Sequence, residues 1–380
     1  VQCFTIDKLC KSSADWCAKE NAESINRCTT GQQQAQRCVI PSALGTRYIF
    51  PVTISSSTSL IVGPGTILRG TANASGWPVV EPLPSYPPGF KGWNSRAAPI
   101  IRTARGATNV TIEGGGTLRG PGSQAGLQSP VVQLDSCTAC TVRNVQVTHS
   151  SFWTVHVWNS TNVRLDNVHV YNPPDSSHTD GLDIDSSSDV LVTRLSVETA
   201  DDCVSIKSGA GAAGIAFARP TRNVLVTDSD FTLCPGLALG SETAGGLANV
   251  TFSNSRLALV SQPVRVKQCK WDGPALVSAS YTNLTIDGAA VAVAINSDYE
   301  CEPTSRGVTA VTDTPHPSPL HLNLTAVHGV AATAGTLGCF SSPQCVLTAN
   351  DVHIVAVLGW HCTNVSPTST SASVHPPACW

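Results

Sequence analysis

One short phrase recurs along this chain: a polar residue, most often asparagine, then valine or leucine, then alternating polar and apolar positions. It appears at Asn109-Val-Thr-Ile, Thr141-Val-Arg-Asn-Val, Asn162-Val-Arg-Leu, Asp189-Val-Leu-Val, Asn223-Val-Leu-Val, Asn249-Val-Thr-Phe, Asn283-Leu-Thr-Ile and Asn323-Leu-Thr-Ala. Successive copies lie roughly 20 to 40 residues apart, the irregularity that loop insertions on one edge of a solenoid produce. Each copy reads as a short strand bounded by turn residues, and identical turn residues can stack from coil to coil. A β-sandwich would need Asn-Gly or Asp-Gly hairpins between consecutive strands, and these are rare here.

The repeat predicts an all-β, parallel β-helix in one domain over 1–380. Residues 1–45 form a cysteine-rich cap, 46–365 the coils and 366–380 an irregular Ser/Thr/Pro-rich tail that Cys379 is placed to tie down. Only 13% of residues are charged and methionine is absent, which suits strands better than long amphipathic helices. The segment from Asp15 is the best helix candidate and would cover the open end of the stack. Gly76 to Asn94, with Trp77, Tyr86, Phe90 and Trp93, reads as a long ordered loop forming a binding wall.

Charge excludes some partners. With 23 basic and 26 acidic residues the net is −3, so no footprint for nucleic acid or an anionic membrane exists. No apolar run is long enough for a membrane helix. The chain opens at Val1-Gln2-Cys3 without an initiator Met or signal-like region, as a processed mature form would. Fifteen cysteines and seven sequons, at Asn73, Asn109, Asn159, Asn249, Asn283, Asn323 and Asn364, point to a secreted, glycosylated protein. The competing reading is that Asn-Val-Thr merely starts strands.

An odd cysteine total leaves at least one thiol unpaired or bonded to another chain. Cys3, Cys10, Cys17, Cys28 and Cys38 suggest a disulfide-pinned cap, and Cys339 with Cys345 a local staple. Cys137 and Cys140 have metal-like spacing but lack a second close pair, so no metal or other cofactor is expected.

The acids Asp201 and Asp202 lie about one short repeat after Asp180. Positions one coil apart stack ~5 Å from each other on neighbouring strands. Three close carboxylates repel unless cations or hydrogen bonds compensate, which marks an acid/base site rather than packing. Consecutive strand residues face opposite ways, so Asp201 and Asp202 can both reach solvent only at a bend or bulge. Arg265 and Lys267, two apart on one strand face, can relieve the repulsion and bind an anionic sugar.

These residues fall within Thr179-Asp180-Gly181-Leu-Asp183, Asp201-Asp202-Cys203-Val-Ser-Ile-Lys207, Gly236-Leu-Ala-Leu-Gly240-Ser241-Glu242 and Arg265-Val266-Lys267. In that order the motifs resemble the polygalacturonases, pectin-degrading glycoside hydrolases that are right-handed parallel β-helices. Further phrases such as Ser151-Phe-Trp-Thr-Val-His156 look like the plant and plant-like branch. The resemblance implies an inverting hydrolysis of galacturonan or a related acidic cell-wall polysaccharide, needing only water. Asp201 would be the general acid, Asp180 and Asp202 would activate the water, and Arg265 and Lys267 would hold the substrate carboxylate. His178 and Lys207 would join the substrate-binding set, although Lys207 and Glu242 can equally be a structural ion pair. His156 is expected to pack beneath the site. The resemblance also makes Cys203–Cys234 the best disulfide pairing.

Two positions depart from the family pattern. His178 replaces an asparagine, which would give activity a dependence near pH 6 to 7, and Cys234-Pro235-Gly236 lacks a histidine that many members carry between two glycines. The chain is expected to be monomeric. The alternatives are a calcium-dependent pectate lyase, whose signature does not match, and a non-catalytic cell-wall or matrix glycoprotein using the solenoid as a scaffold, with disulfide-linked or stacked assembly.

Overall fold

The computed structural model describes residues 2–6, 8–30, 35–90, 96–122, 127–299, 302, 307, 315, 317–366 and 368–380. These group into two compact units: Val1–Glu81, Ser95–Asp183 and Asp189–Asp201 in the first, Pro82–Asn94, Ile184–Ser188 and Asp202–Trp380 in the second. Both use the same coil, in which parallel strands pair with strands one lap further along the chain, and the expected parallel β-helix is the fold adopted.

The recurring asparagine has a conformational cause. Asn109, Asn162, Asn167, Asn223, Asn249, Asn254 and Asn283 all have φ between 48° and 56°. This left-handed region costs most L-residues roughly 1–2 kcal/mol, and asparagine tolerates it because its short amide bonds locally. The corners also bond to each other. Asn167 Nδ2 donates to Asn144 Oδ1 at 2.8 Å in the first unit, and Asn249 donates to Asn223, and Asn283 to Asn254, at 2.9 Å in the second. The apolar residue after each corner then turns inward: Val110, Val163, Val224, Val250 and Leu284 are at most 2% exposed.

Register turns these positions into columns. In the first unit Cys38, Leu60, Ile112, Val142 and Leu165 lie opposite one another on successive strands. In the second, Val226, Phe252, Tyr281, Leu324 and Ala349 do the same. All ten are buried, and burying each large side chain contributes about 1.5–3 kcal/mol. Phe252 and Tyr281 stack with ring centroids 4.9 Å apart.

The helix forms over Asp15–Thr29, burying Cys17, Ala18, Asn21, Ala22, Ile25 and Cys28 along one stripe. Its Asn21 amide donates to Tyr48 O at 2.9 Å, and Asn26 Oδ1 accepts from Thr53 N at 2.9 Å. Disulfides Cys10–Cys17 and Cys28–Cys38 pin it, while Cys3 is exposed and, among the described residues, free. The strand Gln36–Ile40 already pairs with Thr58–Val62, so coil pairing begins inside the segment assigned to the cap.

A further difference from expectation concerns the tail. Within the tail assigned as irregular, Thr370–His375 is a strand parallel to Val346–Thr363. Its serines and threonines need only backbone partners at an exposed edge. Cys362–Cys379 and the edge-on Trp360–Trp380 pair, 5.1 Å apart, fasten it. Cys137–Cys140 and Cys339–Cys345 are disulfides. Sequon asparagines 109, 159, 249, 283 and 364 occupy left-handed corners, which gives them a structural reason to recur apart from any glycan. Trp77, Tyr86 and Phe90 are buried; Trp93 lies outside the described residues.

Asn167 tests the corner ladder without touching a sequon. Asn167→Ala should lower stability by about 1.5–3.5 kcal/mol, the left-handed cost plus a lost hydrogen bond. Asn167→Gly, free of the backbone cost, should lose only about 0.5–1.5 kcal/mol. Denaturant unfolding of both variants checks this ordering.

Candidate active site

Asp180 and Asp201 belong to the first unit, and their carboxylate oxygens approach within 4.8 Å. Asp180 is 4% exposed, whereas Asp201 is half-buried in a bend. The backbone before Asp180 is held from several sides. Thr154 N donates to Asp180 O at 2.8 Å. Asn172, 1% exposed, donates through Nδ2 to Thr154 Oγ1 at 2.7 Å, Thr199 Oγ1 at 3.0 Å and Thr179 O at 3.2 Å. Its Oδ1 accepts from Ser150 N at 2.7 Å. One buried amide therefore links the Thr179-Asp180 segment to Thr199, two residues before Asp201. No motif singles it out in the sequence.

Asp202, the next residue, opens the long segment of the second unit and is fully buried, so it does not reach solvent as the bend argument allowed. Its two oxygens are taken separately: Arg265 donates to Oδ1 at 2.6 Å and Lys267 to Oδ2 at 2.5 Å. Arg265 lies opposite Ala238 and Ala238 opposite Ser205, all on the face turned away from Val204, Ile206, Leu239 and Val266. Burial alone would raise the Asp202 pKa. The charges of Lys267 and Arg265, the Lys267 hydrogen bond and more distant Lys207 outweigh it and hold the carboxyl below its ordinary range.

Arg265 and Lys267 line a cavity of about 490 Å³ with Gln262, Asn296 and Tyr299. The Tyr299 ring lies 5.7 Å from the Arg265 guanidinium and 5.2 Å from Lys267 Nζ. Both cations thus compensate Asp202 while facing space that a ligand can enter. Tyr299 was not foreseen, because its approach depends on which coil stacks on which.

Lys207 takes the structural alternative. It is 1% exposed and donates to Glu242 Oε2 at 2.8 Å, while Ser241 Oγ donates to Glu242 Oε1 at 2.7 Å. This buried pair takes Lys207 away from direct substrate contact. Gly240, at φ 95°, has a place where a Cβ would meet Lys267 O at 2.1 Å, so the Gly-Ser-Glu turn presses on the backbone of the cationic strand. Cys203 and Cys234 are disulfide-bonded, and Cys203 N donates to Gly236 O at 2.9 Å. His178 is exposed at φ 56°, a conformation that suits asparagine, with Phe152 6.3 Å from its ring. His156 is buried against the edge of Trp153, as expected of a packing residue.

Residues 32–373 match the model of glycosyl hydrolases family 28. The chain belongs to that family. A probable polygalacturonase of Vitis vinifera is 28% identical over 57% of this chain, and the match spans only 46% of that protein. An endo-polygalacturonase of Pectobacterium parmentieri is 26% identical over 75% of each chain. The solved polygalacturonase of Erwinia carotovora ssp. carotovora superposes with TM-score 0.74 at 20% identity over 96% of both chains. The expected glycoside-hydrolase class and right-handed parallel β-helix are borne out. No helix among the described residues is long and apolar enough to cross a membrane.

The depressed Asp202 pKa gives a signed pH dependence. A carboxyl whose folded value lies below its unfolded one stabilises fully above about pH 4 and loses that contribution as pH falls through the folded value. Asp202→Asn leaves Arg265 and Lys267 beside each other and should cost about 3–5 kcal/mol at neutral pH. The gap to the unaltered chain should narrow below pH 4, as read by denaturant unfolding across pH.

Proposed function

We propose that this family 28 member is an extracellular glycoside hydrolase acting on galacturonan or a related pectic polysaccharide, with Asp201 as general acid. Asp180 and Asp202 orient and deprotonate the attacking water, and Arg265 and Lys267 meet the uronate carboxylate. The observation that carries this reading is the cavity walled by Arg265, Lys267 and Tyr299. In a chain of net charge −3, a locally cationic hollow behind a buried carboxylate suits an anionic sugar, whose ring can lie on the tyrosine.

The roles divide by environment. Asp202, ionised and saturated by two cations, cannot give a proton; it can only orient or accept. Asp201, half-buried at a bend, is placed to exchange a proton with a leaving oxygen. Lys207 and Glu242 support the floor, and Cys203–Cys234 fixes the strand that follows the acids.

The stereochemical course is open to direct measurement. Inverting pairs ordinarily stand ~6.5–9.5 Å apart to admit water, and retaining pairs ~5–5.5 Å. One oxygen each of Asp180 and Asp201 lies within 4.8 Å of the other, so an inverting course has the water lodged beside these acids. NMR of the first-formed anomer decides: inversion is expected, and a product keeping the configuration of the cleaved bond would overturn it.

Reducing-end release from polygalacturonate and rhamnogalacturonan tests the activity itself. Asp201→Asn should lower turnover about 10²–10⁴-fold with little change in thermal midpoint, unlike Asp202→Asn. A chain inactive on every pectic polymer, with Cys3-linked oligomers on a non-reducing gel, would instead support the scaffold reading.

A further inference from the structure

Within the first unit a column of side chains crosses neighbouring strands in register: Tyr48 opposite Arg69, Arg69 opposite Arg119, Arg119 opposite Thr148 and Thr148 opposite Tyr171. Arg69 and Arg119 therefore sit one strand apart, about 4.8 Å at the backbone. Other arginines of this unit meet carboxylates: Arg105 with Asp135, Arg143 with Glu113, Arg194 with Asp166. Arg69 and Arg119 have no acidic partner among the described residues; the acid in the column, Glu198, lies beyond Tyr171.

His149 completes the cluster. Gly120, directly after Arg119, has a place where a Cβ would meet His149 O at 2.2 Å, so the two turns are pressed together. The His149 ring meets Tyr171 edge-on at 5.6 Å, and Tyr171 is 39% exposed. Two polar atoms here, Arg119 Nε and His149 Nδ1, are buried without a hydrogen-bond partner among the described residues. Orphaned buried polar groups are costly, and here they border on half-exposed cations. Both groups also have lowered pKa values: Arg119 by burial and then Arg69, His149 by burial and then Arg119 and Arg69. Burial is the larger cause of each change, and the neighbouring like charge adds to it.

We propose that Arg69, Arg119 and His149 form an anion site for the carboxylate of an acidic saccharide, with Tyr171 offering its ring to the sugar. The planar guanidinium of Arg119 takes the carboxylate as a two-pronged partner, and Arg69 adds the second cation. Such a site would hold an acidic polymer at a second point and raise its effective concentration on the protein. The saccharide assignment rests on the proposed function; the anion chemistry does not.

Calorimetric titration of the full chain carrying Asp201→Asn, with a short galacturonate oligomer, its methyl ester and sodium phosphate as probes, tests this without turnover. We expect a binding component for the oligomer that is absent for the ester, roughly ten-fold or more weaker after Arg119→Gln and partly kept in Arg119→Lys. Arg69→Gln should weaken the same component, which keeps the test available if Arg119→Gln does not fold. Isotherms unchanged in folded Arg119→Gln and Arg69→Gln overturn the site, and phosphate displacing the oligomer at equal concentration overturns the saccharide assignment. A chain that binds through Arg119 yet hydrolyses no pectic polymer overturns the proposed function alone.

Discussion

The structure depends on keeping parallel strands in register through many successive corners. A parallel ladder supplies evenly spaced backbone bonds but says little about which residue faces which. Here the left-handed asparagine sets the phase: once its φ is near 50°, the next apolar side chain must turn inward, and the amide reaches the corner of the adjacent lap. Local conformation, cross-coil bonding and core burial therefore favour the same alignment, which is the consistency expected of a sequence with one folded state.

That alignment also makes the chemistry affordable. Asp202 is a fully buried carboxylate, a placement stable only because two cations arrive from a strand more than sixty residues later. Lys207 and Glu242 repeat the arrangement at full burial. Such pairs add little net stability over apolar residues of similar volume, but removing one member leaves an uncompensated charge. Their value lies in specifying where the charges stand.

Much of this was legible in the sequence for identifiable reasons. The corner asparagines advertise themselves because few other residues accept their conformation, and the stripe from Cys17 to Cys28 marks the cap helix. The acids were visible as residues, yet the burial of Asp202 and the inward course of Lys207 were not, since both depend on which coil lies alongside. Asn172 and Tyr299 were silent because their partners are set by loop lengths rather than by local pattern. The strand Thr370–His375 was hidden by a composition that reads as loop, an edge strand needing backbone pairing more than apolar alternation.

The phased corners carry a consequence for how such a chain can change length. Additions within a turn displace nothing beyond it, and whole laps can be gained or lost while every column is preserved. A single inserted residue inside a strand is different: it inverts the inside and outside of that strand up to the next asparagine, which then resets the count. Each corner thus confines an indel to one lap.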